Sequence, residues 1–375
     1  MASAIRSLLT NRLRTRKQDS TSHAPMDESN GHRSAAPEPQ RENDSQKLSA
    51  KNHSSCQGLI EATMDITVVV CTFNRCQTLA DALESAAQSI LPDSTTWEIL
   101  VVDNNSTDQT AETVQNFCCR YPGRFRYVFE PRQGKSYALN TGVRESSGAT
   151  LVFMDDDTTV EPTWLERLTT PLCDPAWSGS GGPVILQWSS SRPRWLKMDT
   201  MAAPLVGFNP NREAGEIREA LFGGNMAFRR TMFQKHGAFR TDLGPSPNRD
   251  TPRQNEDTEF VRRLLAAGEG LFYEPSAVVF HPVPVNRLRK RYFLGWWLDK
   301  GRADILMLGF PPNVKWSLGG IPLSFVRRIV HWTARWIIAL EPSERFASRL
   351  KVQWLLGMVI ECRRSSKSVL PTKFE

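Results

Sequence analysis

The sequence lacks long hydrophobic runs and any regular pattern of cysteines. No uninterrupted apolar stretch in its 375 residues reaches the roughly 18 residues that a membrane-spanning helix needs. Its seven cysteines form no CxxC pair, which argues against a disulfide framework and against a zinc site. The basic N-terminus has no apolar core of the kind that signal peptides carry. We therefore expect a cytoplasmic protein without a transmembrane anchor.

Several nucleotide-binding and hydrolase motifs are also missing. The chain contains no GxxxxGK[ST] and no GxGxxG after its first predicted strand, which argues against P-loop and dinucleotide-binding folds. It has no GxSxG either, so nothing indicates a serine hydrolase of that type.

Charge is distributed unevenly along the chain. The net charge is +3 for residues 1–60, −7 for residues 61–281 and +11 for residues 282–375. An acidic body does not suit a compact nucleic-acid-binding module, so we expect no nucleic acid partner. A basic tail suits an anionic surface, and it predicts peripheral attachment at the inner face of a membrane.

Composition divides the chain into three regions. Residues 1–62 are polar, rich in proline and charge and poor in aromatic residues, which predicts a disordered leader. Residues 63–284 form the predicted folded body, in which β-branched strands at 65–71, 97–103, 124–130 and 150–155 alternate with helical patterns. This alternation predicts right-handed βαβ units and a parallel sheet that becomes mixed beyond residue 180.

Residues 285–375 form a predicted basic, helical C-terminal extension that carries six of the 11 tryptophans. The segment 325–340 places Phe325, Ile329, Trp332 and Trp336 on one helical face, beside a stripe of Arg328, His331 and Arg335. Such a helix lies at a membrane interface or packs on the body with its basic face outward. The sequence leaves both alternatives open.

The most informative polar residues follow the predicted strands. The segments 71–75, 103–108, 130–142 and 155–157 each come at a strand end, and in open parallel sheets ligands bind at these ends. In the aspartate trio of residues 155–157, Asp155 and Asp157 have the i, i+2 spacing that lets two carboxylates share one Mn²⁺ or Mg²⁺ ion. A solvated acidic turn is the alternative.

Five motifs in order resemble glycosyltransferase family 2, the inverting enzymes that use nucleotide sugars. They cover roughly residues 66–281 and read VVVCTFNR, LVVDNNSTD, GKSYALNTGVRESSGATLVFMDDD, GGNMAFRR and NEDTEFVRRLLAAG. The resemblance implies a GT-A fold, which is a Rossmann-like mixed sheet with flanking helices, for residues 63–284. QxxRW, the signature of processive synthases, is absent, which favours transfer of a single sugar.

The resemblance also implies donor-binding roles. Thr72, Asn74 and Arg75 would line the pocket of the nucleotide base, and Asp103 would bind the base or ribose. Many relatives have a second acid next, where this chain has Asn104. The remaining implied donor residues are Lys135, Asn140, Asp155, Asp156 and Asn225, with Asn225 beside the transferred sugar.

Metal and catalytic roles follow from the same resemblance. Asp155 and Asp157 would be the metal-binding pair, and His281 would complete the metal shell or be structural. Asp257 would take the proton of the acceptor hydroxyl, with Glu256 as an alternative base or an orienting group. The acids of NEDTE also suit a plain helix N-terminus.

We therefore expect an inverting glycosyltransferase. Its donor would be a UDP- or GDP-linked sugar, its cofactor Mn²⁺ or Mg²⁺, and its acceptor a lipid-linked or surface glycan. The basic stretch between Arg287 and Arg302 would close over the diphosphate or form a solvated or membrane-facing surface. Two alternatives are an inactive scaffold that docks on membranes or partner proteins, and a sugar-nucleotide pyrophosphorylase.

Overall fold

A mixed β-sheet is at the centre of the fold. The computed structural model describes residues 64–197, 203–205, 207, 212–219, 221–247, 254–309, 317–318 and 321–368. The predicted leader, residues 1–62, lies outside these ranges. Within the described ranges, the strands are β1 Met64–Thr72, β2 Trp97–Asp103, β3 Phe125–Phe129, β4 Gly148–Asp155, β5 Thr159–Val160, β6 Gly179–Gly181, β7 Val184–Trp188, β8 Gly215–Glu216, β9 Asn225–Arg229, β10 Leu271–Tyr273, β11 Val279–Val283, β12 Ser317–Leu318 and β13 Ile321–Pro322.

Helices connect and cover these strands. In the same described ranges, the α-helices are α1 Cys76–Ala87, α2 Thr110–Arg120, α3 Lys135–Glu145, α4 Trp164–Thr169, α5 Arg230–His236, α6 Glu256–Ala266, α7 Lys290–Leu308, α8 Leu323–Ile338 and α9 Pro342–Ser368. Short 3-10 turns occupy Thr170–Cys173, Ala203–Leu205 and Val285–Leu288. The predicted alternation of strands and helices over the first four strands is confirmed.

The large sheet has the strand order β3-β2-β1-β4-β9-β6-β10-β8 among the described residues. The first four strands are parallel, whereas β9 runs antiparallel to β4 and to β6. A smaller sheet has the order β5-β11-β7. The predicted change from a parallel to a mixed sheet is therefore confirmed, and so is the prediction of a mixed sheet with flanking helices.

Apolar side chains on both faces of the sheet explain why its strands are hydrophobic runs. In β1, Val68 and Val70 pack on one side in a cluster with Leu79 and Leu83 of α1. Val69 points the other way, into a cluster that contains Phe260 of α6. A parallel sheet covered on both faces needs apolar residues at successive positions, which the sequence of β1 provides.

The C-terminal helices pack on one another around two further apolar clusters. The long helices α7 and α9 approach closely at Gly301 and Gly357, where a Cβ atom would strike the backbone of the opposite helix. In the part of the chain that the structure describes, no helix has the length and hydrophobicity to cross a bilayer. All described residues belong to one compact unit. The domain boundary predicted between residues 284 and 285 therefore stays a prediction.

Candidate active site

Polar side chains converge at the carboxyl edge of the large sheet. The parallel register puts Thr72, the last residue of β1, beside Asp103 at the end of β2. On the other side of β1, Cys71 pairs with Asp155, the last residue of β4. The expectation that these strand ends share one edge is therefore confirmed.

Each of the aspartates at 155–157 is paired with a cationic side chain. Oδ1 of Asp155 accepts a hydrogen bond from Nζ of Lys135 at 2.8 Å. Nη1 of Arg75 lies 2.8 Å from Oδ1 of Asp156 and 2.8 Å from Oδ2 of Asp157. These cations offset the repulsion between adjacent carboxylates. Asp156 is buried, so the trio is not a solvated turn.

Burial and ion pairing act in opposite directions on two of these acids. Burial raises the pKa of Asp156 to about 6, against the opposing effect of Arg75. Burial also acts to raise the pKa of Asp157, but three neighbours outweigh it and lower that pKa. They are His281, Arg75 and Arg287, whose Nη2 lies 3.2 Å from Oδ2 of Asp157. Asp157 therefore stays a carboxylate despite its burial.

His281 is buried in β11 beside Asp157. Its Nε2 lies 3.5 Å from Oδ1 of Asp157 and 3.2 Å from Nη1 of Arg287. Its Nδ1 is buried and has no hydrogen-bond partner among the residues that the structure describes. A purely structural histidine normally satisfies both ring nitrogens, because an unpaired buried polar atom is costly.

The structure does not assemble the predicted metal ligands into one closed cluster. Asp157 and His281 are in contact, but the carboxylate of Asp155 is held by Lys135 instead. Across the described ranges, no three His, Cys, Asp or Glu groups are arranged to hold a metal ion. A pair of protein ligands with open positions is therefore the most that these residues supply.

Two consecutive glycines contact both Asp257 and the aspartate trio. Gly223 and Gly224 precede β9, and the N–H group of Gly223 donates to Oδ2 of Asp257 at 2.8 Å. A Cβ atom at residue 223 would lie 2.8 Å from that oxygen, and one at residue 224 would lie 2.6 Å from Oδ2 of Asp155. The carboxylates of Asp155 and Asp257 thus lie against two consecutive backbone positions.

Glu256 lies deeper than its neighbour Asp257. Its Oε1 is 3.7 Å from Nζ of Lys135, the same nitrogen that binds Asp155. Burial and the charge of Asp257 raise the pKa of Glu256 to about 7, although Lys135 opposes this. Burial acts to lower the pKa of Lys135, but the negative charges of Asp155, Glu256 and Asp257 together raise it. Lys135 therefore links the aspartate trio electrostatically to α6.

Two of the predicted base-binding residues, Asn74 and Asp103, have hydrogen-bond partners within the protein, whereas the buried hydroxyl of Thr72 has none among the described residues. Asn74 has a φ of +52°, and its side-chain oxygen accepts hydrogen bonds from the N–H and hydroxyl groups of Thr107. Asp103 is buried and accepts from the N–H of Ser106 and from the hydroxyl of Tyr127. Both side chains hold loops together at the edge of the site.

Asn104 connects the end of β2 to the loop before α3. Its amide nitrogen donates to the carbonyl groups of Glu130 and Arg132, and its oxygen accepts from the N–H group of Gly134. An aspartate could not make the two donor contacts. This explains physically why the chain has an amide where many members of the resembled family have an acid.

Two of the predicted donor residues are occupied inside the protein. The amide of Asn140 donates to and accepts from the backbone of Phe239. The amide of Asn225 is fully buried, donates to the carbonyl groups of Pro183 and Ala277, and accepts from the indole N–H of Trp164. Both amide hydrogens of Asn225 are used inside the protein, whereas Asn140 keeps a second hydrogen. The donor-binding role of both residues stays a prediction.

A buried network that the sequence analysis missed supports the start of α6. Asn255, with a φ of +75°, precedes this helix, and its amide donates to Oδ1 of Asp304 at 2.9 Å. Lys300 donates to the oxygens of Asn255 and Asp304, and Trp354 donates to Oδ2 of Asp304. The C-terminal helices α7 and α9 thus fix the residue before Glu256. No local motif signals this contact.

Comparisons with known proteins agree with the motif order. Residues 67–237 match the model of a family described as Glycosyl transferase family 2. The succinoglycan biosynthesis protein ExoM of Rhizobium meliloti is 31% identical over 241 residues, which cover 64% of this chain and 72% of that protein. The glucosyl-dolichyl phosphate glucuronosyltransferase of Haloferax volcanii is 27% identical over 225 residues, 58% of this chain and 69% of that protein.

A solved structure is also similar in part. The mannosyltransferase PcManGT of Pyrobaculum calidifontis, in complex with GDP-Man and Mn²⁺, has a TM-score of 0.47 to this chain at 19% identity. The match covers 83% of this chain and 78% of that protein.

Proposed function

The chain belongs to glycosyltransferase family 2, and from this premise we propose that it moves a sugar from a nucleoside diphosphate to an acceptor hydroxyl with inversion at the anomeric carbon. Its activity as a glycosyltransferase follows from the family. The identity of the donor, the need for a divalent ion and the nature of the acceptor are parts of the proposal. The two alternative functions, a sugar-nucleotide pyrophosphorylase and an inactive scaffold, do not suit a chain of this family whose acidic residues are present at the candidate active site.

The observation that carries the proposal is the approach of Asp155 and Asp257 to the consecutive glycines Gly223 and Gly224. An inverting transfer needs one group near the leaving diphosphate and a carboxylate on the other side of the anomeric carbon. The contacts with these glycines bring two carboxylates from distant segments, at the end of β4 and at the start of α6, to neighbouring backbone positions.

Asp257 is the proposed catalytic base. It is only half-buried, so an acceptor hydroxyl can reach it, and its orientation is fixed by hydrogen bonds from the N–H groups of Gly223 and Thr258. Glu256 is buried beside Lys135, and we assign it a positioning role. The acidic first turn of α6 also lies at the positive end of the helix dipole, which favours the carboxylate form.

Three cationic side chains are proposed to bind the donor diphosphate. Arg75, Lys135 and Arg287 all contact the aspartate trio. A diphosphate at this place would share these cations with the carboxylates, and their positive charge stabilises the negative charge that develops on the leaving group. Of the basic stretch 287–302, we propose Arg287 for this role because it contacts Asp157.

Asp157 and His281 are the residues that would hold the divalent ion. A carboxylate and an imidazole suit Mn²⁺, and two protein ligands that leave room for phosphate oxygens and water are usual for ions of this kind. The imidazole nitrogen that would bind an ion together with Asp157 is Nε2, which lies 3.5 Å from Oδ1 of Asp157. When bound, such an ion neutralises the diphosphate and makes it a better leaving group.

The acceptor is proposed to be a lipid-linked or surface glycan. The printed names of two relatives, one of succinoglycan biosynthesis and one acting on glucosyl-dolichyl phosphate, support this class. A peripheral position at the inner face of the membrane would bring such an acceptor close to the protein.

A donor screen tests the proposal. Thermal unfolding of the full chain with Mn²⁺ and a panel of UDP- and GDP-sugars should show a raised Tm for one donor, since ligand at 100 times its Kd stabilises by about 2.7 kcal/mol. Hydrolysis of that donor should require Mn²⁺ or Mg²⁺ and stop in Asp157→Ala. Asp257→Asn should lower transfer by at least about 100-fold but keep the donor-induced rise in Tm.

A surface acid provides the matched control. Asp93→Asn changes an exposed residue in the loop before β2, at the opposite edge of the sheet, and should leave both activity and Tm unchanged. Release of pyrophosphate from a nucleoside triphosphate and a sugar phosphate would contradict the proposal. So would full turnover in the presence of a metal chelator.

A further inference from the structure

Helix α8 has an apolar face that points away from the protein. Leu323, Val326, Val330 and Ile337 recur at helical spacing, and all four are exposed. Val330 is 63% exposed and Ile337 is 68% exposed. We call these four residues the outer stripe. Large aliphatic side chains at this exposure, aligned on one side of a helix, indicate a contact surface.

The tryptophan face of the same helix is not available for contact. Phe325 is buried in a cluster with Leu355 and Met358 of α9, and Ile329 and Trp332 pack against that cluster. The sequence left open whether this face meets a membrane or the body, and the structure shows that it packs on α9. The outer stripe is therefore a second apolar face, about 120° around the helix from the buried one.

Arg327 is exposed on α8 next to the outer stripe. Arg328 and Arg335 are also exposed, but their guanidinium groups stack on Trp354 and Trp332, on the packed side of the helix. The sequence Leu323–Ile338 contains no acidic residue. Beyond the helix, Leu340 is 99% exposed. Apolar residues flanked by arginines, without acids, are characteristic of helices that lie in the plane of a membrane interface.

We propose that the outer stripe of α8 docks on a membrane surface that contains anionic lipids. The stripe would enter the boundary between headgroups and acyl chains, and Arg327 at its edge would contact lipid phosphates. This inference deepens the peripheral membrane position given in the proposed function, and it depends on neither the donor nor the catalytic residues.

Charge complementarity selects lipid over a second copy of the chain. In a two-fold symmetric contact the same patch faces itself, which would bring the arginines of α8 close to those of the second α8. No acid on the helix could compensate for that repulsion. An anionic headgroup layer supplies the missing negative charge along the whole stripe.

Vesicle co-sedimentation of the full chain tests the proposal. The probe is a pair of vesicle preparations, phosphatidylcholine alone and phosphatidylcholine with phosphatidylglycerol, each at low and at high salt. We expect binding to the anionic vesicles that weakens at high salt. The double variant Val330→Ser with Ile337→Ser should bind at least about tenfold more weakly, because apolar burial drives this type of docking.

Two controls separate docking from misfolding and from unspecific binding. Ile90→Ser changes an aliphatic residue of the body that is 63% exposed, and it should bind vesicles like the wild type. The double variant should keep the Tm and the donor hydrolysis of the wild type, since its changes lie outside the active site. Vesicle binding that persists in the double variant, or no binding by the wild type at low salt, would overturn the proposal. Concentration-dependent dimers lost in the double variant, without vesicle binding, would overturn it in favour of a second copy.

Discussion

Gly224→Ala is expected to lower sugar transfer by about tenfold without unfolding the protein. The new Cβ atom would lie 2.6 Å from Oδ2 of Asp155, whereas real Cβ atoms essentially never come within 3.0 Å of such a neighbour. The carboxylate must therefore move by at least about 0.4 Å. A misplacement of about 1 Å at a reacting centre costs up to about 100-fold in rate, so a shift of this size corresponds to about tenfold.

The backbone at residue 224 does not need glycine for its conformation. It is absent from the glycines with positive φ, so alanine is allowed there and the effect comes from the contact with Asp155 alone. Gly223→Ala is the parallel test for Asp257, because the Cβ atom would lie 2.8 Å from its Oδ2. Transfer kinetics and Tm should be measured for both variants.

Gly295→Ala is the matched control. Gly295 lies within α7, and a Cβ atom there would meet nothing within 4 Å. Since alanine favours a helix over glycine by up to about 1 kcal/mol, this variant should keep full activity and an equal or higher Tm. Full activity of Gly224→Ala at an unchanged Tm would refute the reasoning, and so would a loss of activity that only follows a loss of folded protein.

Three further predictions concern buried polar groups. Asp304→Ala should destabilise the protein by about 2–4 kcal/mol in denaturant unfolding, because it leaves the indole N–H of Trp354 and the charge of Lys300 without this partner. An unchanged unfolding midpoint would contradict a stabilising role of the hydrogen bonds around Asp304. Burial raises the pKa of Glu256 from 4.5 to about 7, so the folded state holds a proton that the unfolded chain releases. The Tm of the wild type should therefore fall relative to that of Glu256→Gln between pH 5 and pH 8, and a constant difference would count against this. Asn225→Ala should cost about 3 kcal/mol in the same unfolding assay, whereas a direct sugar contact would chiefly raise KM.

The strand ends could be predicted because the pattern is local. The β-branched run of β1 and the alternation with helices indicate a parallel sheet, and any parallel sheet brings its carboxyl ends to one edge. Asp103 and Asp155 follow from that rule without further information. The acidic start of α6 is also a local signal.

The partners of these residues could not be predicted, since they are distant in the chain. Nothing in the motif around Asn225 shows that its amide forms hydrogen bonds with Pro183, Ala277 and Trp164. The contact of Lys135 with both Asp155 and Glu256 joins segments that are separated by more than 100 residues. The same holds for Asp304, which fixes the residue before α6.

By itself the sequence determined the family, the order of strands and helices and the segments that carry the acids, because short-range patterns of apolar and polar residues dictate local structure. Only the tertiary structure decided which cation neutralises which acid, that Asp155 and Asp257 lie against two consecutive glycines, and which face of α8 is buried. These depend on packing between distant segments, and the free energy of burying a charge or an apolar face is set by whatever the fold places against it.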